Sequence, residues 1–207
     1  MMFDFLFGNG CGRCCETPAA PVTAIPDGIG NPCCVCRSAP VPCLMPQTLQ
    51  AGGTQSVQLT ADAGGATNIA LIGSGGAAVK YSAPASLITL SPAEQSAAFV
   101  LPAPAVVRCF SASVITSAPV TGQSTAVYAA LYAAPADSDT FALVPGSTMM
   151  LASALTPALP VGSALCASAR LCVRVPAKLV AALFASDLSS SALTGYAQAS
   201  ISVVPAA

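Results

Sequence analysis

Histidine and tryptophan are absent from this 207-residue chain, aromatics make up 5% of it, and charged residues only 7%. Each shortage excludes something. Without histidine, the Ser-His and Cys-His pairings that activate most nucleophiles cannot be built, so an enzyme is not expected. Seven Lys and Arg, spread from Arg13 to Lys178, cannot neutralise a run of phosphates, and nucleic acid is not an expected partner. Ordinary soluble domains carry roughly a quarter charged residues. Here the formal net charge is −1 and little repulsion keeps copies apart. Near-neutral surfaces associate, so the expected working state is an assembly of the chain with itself.

An unbroken apolar run is missing too. The charge-free stretch 109–136 contains Pro119, Gly122, Gln123 and several Ser and Thr, whereas a spanning helix wants about 20 predominantly apolar residues. No membrane partner is expected. A barrel in an outer membrane would need a secretory signal, and Met1-Met2-Phe3-Asp4-Phe5-Leu6-Phe7 does not read as one: it has no basic start, and Asp4 and Gly8 interrupt its apolar run. Phe3, Phe5, Leu6 and Phe7 read instead as a plug that docks on a neighbouring subunit, or as an unstructured start.

What the chain does have is cysteine, ten in all, seven of them within the first 43 residues. They form two clusters, Cys11-Gly12-Arg13-Cys14-Cys15 and Cys33-Cys34-Val35-Cys36, followed by Cys43. Seven prolines accompany them between residues 11 and 46, and proline disfavours both helix and central strand. Fully extended, those 36 residues reach about 110 Å. The layout predicts an extended Cys/Pro-rich arm over 1–50 and a domain over 51–207.

Beyond residue 50, short strand-like runs alternate with Gly, Pro, Ser and Asp breaks. Strands are predicted at 56–60, 68–73, 77–81, 86–90, 97–101, 106–117, 125–133, 140–144, 147–153, 170–175, 178–186 and 193–204, with no convincing helix. Many short strands indicate an all-β antiparallel sandwich or barrel. Two runs are apolar on both faces: Leu179, Ala181, Leu183 and Ala185 oppose Val180, Ala182 and Phe184, and Val127, Ala129 and Leu131 oppose Tyr128 and Tyr132. A monomer's antiparallel sheet normally leaves one face wet. The second face is therefore expected to meet a partner subunit.

The cysteines allow two chemistries. Cys11-x2-Cys14 and Cys33-x2-Cys36, 18 residues apart, match the pattern of a four-thiolate zinc site. Against that stand the surplus thiols Cys15, Cys34 and Cys43 and an intervening segment with four prolines. Disulfides are the other reading. Adjacent cysteines rarely bridge each other, and seven is odd, so at least one arm cysteine pairs with the body, pairs with another chain, or stays a thiol. In the body, Cys166 is placed in a loop, which makes it the expected receptor of an arm bridge. Cys172 shares a face with Arg170 and Arg174 and reads equally as a receptor or a small buried hydrophobe. Cys109 alternates with Phe110. Asp137 and Asp139 read as solvated turn acids, and Gly73-Ser74-Gly75-Gly76 as a loop without the ending of a phosphate-binding motif. No cofactor is expected.

The second half carries a further signal. Ala126-Val127-Tyr128-Ala129-Ala130-Leu131-Tyr132 is followed by Thr140-Phe141-Ala142-Leu143-Val144-Pro145-Gly146-Ser147, then Ala169-Arg170-Leu171-Cys172-Val173-Arg174-Val175-Pro176, Leu179 to Ser186, and Thr194-Gly195-Tyr196-Ala197-Gln198-Ala199-Ser200-Ile201. This succession, reaching loosely back to Gly73, resembles the C-terminal domain of the BclB-type exosporium glycoproteins of spore-forming Firmicutes. The resemblance implies a jelly roll of the tumour-necrosis-factor/C1q type, a homotrimer, and a place on the spore surface beside other spore-surface proteins. Such proteins are deposited without a signal peptide and meet oxidising conditions after the mother cell lyses. The family's collagen-like stalk is missing here. By analogy, the short arm is similar to the cysteine-bearing connectors of endospore appendage subunits.

The leading expectation is thus a self-assembling structural protein, a fibre or layer of stacked trimers. Disulfides from Cys11, Cys14, Cys15, Cys33, Cys34, Cys36 and Cys43 would cross-link it, with Cys166 as a body receptor. A receptor- or carbohydrate-binding tip module is the alternative. A cytosolic protein with zinc on Cys11, Cys14, Cys33 and Cys36 is a second.

Overall fold

Alternation of buried and exposed side chains organises the long strands of this computed structural model. It describes residues 47–60, 68–74, 76–81, 85–120, 125–155, 158–186 and 192–206. The arm, with its seven cysteines and the plug Phe3, Phe5, Leu6 and Phe7, lies outside the described residues. Twelve strands follow in order: β1 (Gln47–Leu59), β2 (Asn68–Gly73), β3 (Gly76–Tyr81), β4 (Leu87–Thr89), β5 (Phe99–Val100), β6 (Ala105–Thr116), β7 (Val127–Ala134), β8 (Thr140–Leu143), β9 (Met149–Ala152), β10 (Ala164–Val175), β11 (Lys178–Ala185) and β12 (Leu193–Pro205). One helical turn, α1 (Pro92–Gln95), lies between β4 and β5.

Every pairing is antiparallel, and the strands form two sheets. One runs β1-β12-β6-β10; the other runs β3-β2-β11-β7-β8-β4, with β5 added on β11 and β9 on β7. Setting aside β3, β4, β5 and β9, the first sheet reads first-eighth-third-sixth in chain order and the second reads second-seventh-fourth-fifth. That is the order of a jelly roll, two Greek keys folded into a double sheet. The chain is an all-β antiparallel sandwich.

The main core lies between the sheets. β12 shows how: Leu193, Ala197, Ala199, Ile201 and Val203 are buried in it, while Thr194, Tyr196, Gln198 and Ser200 on the alternate positions are less covered. Opposite them, β11 contributes Leu179, Ala181, Leu183 and Ala185, and β7 contributes Val127, Ala129, Leu131 and Ala133.

β7 and β11 are indeed apolar on their second face, but the cover comes from the same chain. Ile88, Leu90, Ala97 and Ala98 close over Ala130, Tyr132, Ala134, Val180, Ala182 and Phe184 and form a second core with Ile69, Leu71 and Phe141. Tyr128 and Phe184 stack at 5.6 Å. A partner subunit is therefore not needed to explain these residues. The covering segment turns on α1, which the strand pattern did not predict. Ser91 caps it: the Glu94 amide donates to Ser91 Oγ at 3.4 Å, and the Ser91 amide donates to Glu94 Oε2 at 2.7 Å. This reciprocal pair, with Pro92 at the first helical position, lets a single turn form.

Two predicted boundaries move. β1 begins at Gln47, within the stretch assigned to the arm. β10 begins at Ala164, not 170, because Ala164–Ala169 pair residue for residue with Ile115–Phe110 of β6. The residues Ala164, Ala167, Ser168 and Ala169 carry little strand propensity; β6 supplies the template.

Candidate functional site

The outer face of the β1-β12-β6-β10 sheet gathers all the cysteines among the described residues. In β6, Ala105 and Val107 face the main core, as do Phe110, Ala112 and Val114. The parity changes at Arg108, where the register with β12 shifts between Ser202↔Cys109 and Val203↔Val107. A β-bulge accommodates the extra residue and re-aims its neighbours. Cys109 consequently points away from the core, level with Ser202 of β12 and Arg170 of β10.

Along β10, Leu165, Ala167, Ala169, Leu171 and Val173 pack on the core. Cys166, Ser168, Arg170, Cys172 and Arg174 occupy the outward positions. Cys166 is therefore a strand residue opposite Ser113, and its expected loop position is corrected. The sequence-based grouping of Cys172 with Arg170 and Arg174 agrees with this alternation. Arg108 also reaches that face, its Nη1 donating to Cys172 Sγ at 3.7 Å. Ser111, Ser113, Ser168, Ser200 and Ser202 take other outward positions of the same sheet.

The three sulfurs fall into two states. Cys172 is a half-buried thiol, not a core hydrophobe. Cys109 and Cys166 are disulfide-bonded. They do not bridge each other. Cys109 is level with Arg170, four positions from Cys166, so about 13 Å of strand separates them. A disulfide tolerates no more than about 7 Å between Cα atoms.

Cys166 was expected to receive a bridge; Cys109 was not. The available signal for Cys109 was its alternation with Phe110, which sends one of the two side chains outward. The alternation does not reveal the bulge that keeps Cys109 outward while Val107 remains inward. Cys11, Cys14, Cys15, Cys33, Cys34, Cys36 and Cys43 lie outside the described residues, so both the cross-linking set and the alternative zinc quartet do too. Among the described residues no group of three His, Cys, Asp or Glu gathers where it would hold a metal ion.

Other motifs have structural tasks. Gly73 and Gly76 close the β2–β3 hairpin. Asp137 and Asp139 are exposed in the β7–β8 turn, where Thr140 Oγ1 donates to Asp139 Oδ1 at 3.1 Å. Among the described residues no helix is long and apolar enough to cross a membrane. Comparison with known proteins finds no matching family model, no similar curated protein and no similar solved structure.

Proposed function

We propose that this chain is a disulfide-stapled structural protein of the bacterial spore surface. In this reading the jelly roll is the repeating body, which stacks as trimers into a fibre or layer, and the arm makes the assembly permanent. The observation that carries it is the pair of bridged cysteines, Cys109 and Cys166, on an outward sheet face. Persistent bridges of this kind belong to oxidising surroundings. The low charge favours self-association, and the resemblance of the second half to exosporium glycoproteins supplies the location.

The test is native material on paired non-reducing and reducing gels, with metal analysis of the reduced protein. The expected result is a series of multimers that collapses to the single chain on reduction. Monomer in both lanes with one tightly held zinc per chain overturns the proposal in favour of the zinc protein.

A further inference from the structure

The charged side chains divide between the two outer sides of the sandwich. Arg170 and Arg174 are exposed at outward positions of β10, on the four-stranded sheet. Arg108 of β6 adds a guanidinium to the same face. The carboxylates among the described residues, Glu94, Asp137 and Asp139, lie on the other side. Glu94 belongs to α1, within the segment that covers the second sheet. In that segment the Leu90 amide donates to the Asp139 carbonyl at 2.9 Å. Lys178 ties α1 to the 135–139 turn, its Nζ donating to Gln95 Oε1 at 3.2 Å and to the Ser138 carbonyl at 3.1 Å. One ammonium among these carboxylates leaves that side negative.

We infer that copies of this chain stack face to back, the arginine face of one copy docking on α1 and the 135–139 turn of the next. The inference rests on the structural reading above and gives its assembly a polarity. Charge complementarity names the occupant. Packed sheets lie about 10 Å apart, and the arginines and the acids face outward from opposite sides of the pair. A second copy presents each group with its opposite.

The net charge is −1, so whole copies repel little, and the separated patches decide how they meet. Exposed ion pairs add little affinity. Complementary patches instead speed encounter and fix register. The arginine face is also open to a neighbour. Beside Arg170, the next outward row runs level through Gln50, Ser200, Ser111 and Ser168, with no charged or large apolar side chain to hold a copy away. Because the two surfaces differ, the contact is heterologous. Each added copy offers both surfaces again, and the array continues unless its rotation closes a ring.

The test begins with full-length chain isolated as the smallest species by gel filtration. Light scattering follows its growth at about 1 M and about 0.01 M salt, where the Debye length is about 3 and about 30 Å. The wild type should grow at least about tenfold faster in dilute salt. Arg170→Glu with Arg174→Glu should lose that acceleration, and so should Asp137→Lys with Asp139→Lys. An equimolar mixture of the two variants should regain it, since each then meets its opposite only in the other. If a reversed variant loses the wild-type circular dichroism spectrum, the neutral pairs Arg170→Gln/Arg174→Gln and Asp137→Asn/Asp139→Asn must still lose the acceleration. Folded variants that grow like the wild type, or a mixture as slow as its components, overturn the stacking while the gel multimers keep the structural reading. Wild-type chains that stay single at both salt concentrations overturn the stacking together with self-assembly. Wild-type chains that stay single in dilute salt yet are retained on a heparin resin give the arginine face to a different acidic partner and overturn the stacking too.

Discussion

Tyr132 carries a polar atom into the second core. Its ring is 1% exposed among Ile88, Leu90 and Phe141, and its hydroxyl donates to the Ala85 carbonyl at 2.9 Å. Burial raises the phenol above its ordinary 10.0, because the phenolate is poorly solvated there. The unfolded chain therefore ionises first. Stability is fully present below pH 10 and falls as pH rises through the higher folded value. Tyr132→Phe should cost about 1 kcal/mol at neutral pH by removing the hydrogen bond, and should flatten the alkaline loss in denaturant titrations. An unchanged alkaline slope would exclude Tyr132 as its origin. Gly73 is constrained differently: a Cβ there would lie 1.4 Å from the Ala97 carbonyl oxygen. No side chain fits without moving that backbone, so Gly73→Ala should lower the melting temperature by clearly more than an exposed substitution such as Ser168→Ala.

At the scale of elements, β7 depends on a hydroxyl where its partner strands stop. β8 pairs with Tyr132 and Ala133, β9 pairs from Ala129 back to Val127, and Leu131 lies in the gap. Ser147, fully buried, fills it: the Leu131 amide donates to Ser147 Oγ at 3.0 Å, and Ser147 Oγ donates back to the Leu131 carbonyl at 3.2 Å. Gly146, at φ 72°, makes the turn that brings it there. Ser147→Ala strands the amide in the core, at a cost of about 1–3 kcal/mol read from urea unfolding. Ser147→Thr, which keeps the hydroxyl, should recover part of that loss. Strands with strong alternation or long apolar runs, such as β11 and β12, were legible in the sequence within a residue or two. The first half of β10 was not, since its small residues pair with β6 only because β6 is already in place. Nor was α1, a single turn whose capping box is too short to set up helical periodicity.

For the whole molecule, the sharpest expectation concerns the arm. β1 begins at Gln47, so removing residues 1–46 leaves every described strand intact. The truncated chain should fold with unchanged strand content by circular dichroism and form no reductant-sensitive multimers. Multimers of unchanged abundance on non-reducing gels would place the cross-links elsewhere. The two-sided apolar strands teach a related lesson. Their pattern suggested a partner subunit, yet the second face of β7 and β11 is covered by residues 88–98 of the same chain. A linear pattern reports that a face is buried; it does not report which segment covers it.

By itself, the sequence determined the all-β class, most strand positions, the exclusion of histidine chemistry and the concentration of thiols within residues 1–43, because these follow from composition and local alternation. Tertiary structure alone decided the jelly-roll order of the strands, the intrachain cover of the second core, and the placement of Cys109, Cys166 and Cys172 on one outer face. Those outcomes depend on strand pairing between residues far apart in the chain and on one bulge at Arg108, and neither leaves a local mark in the sequence.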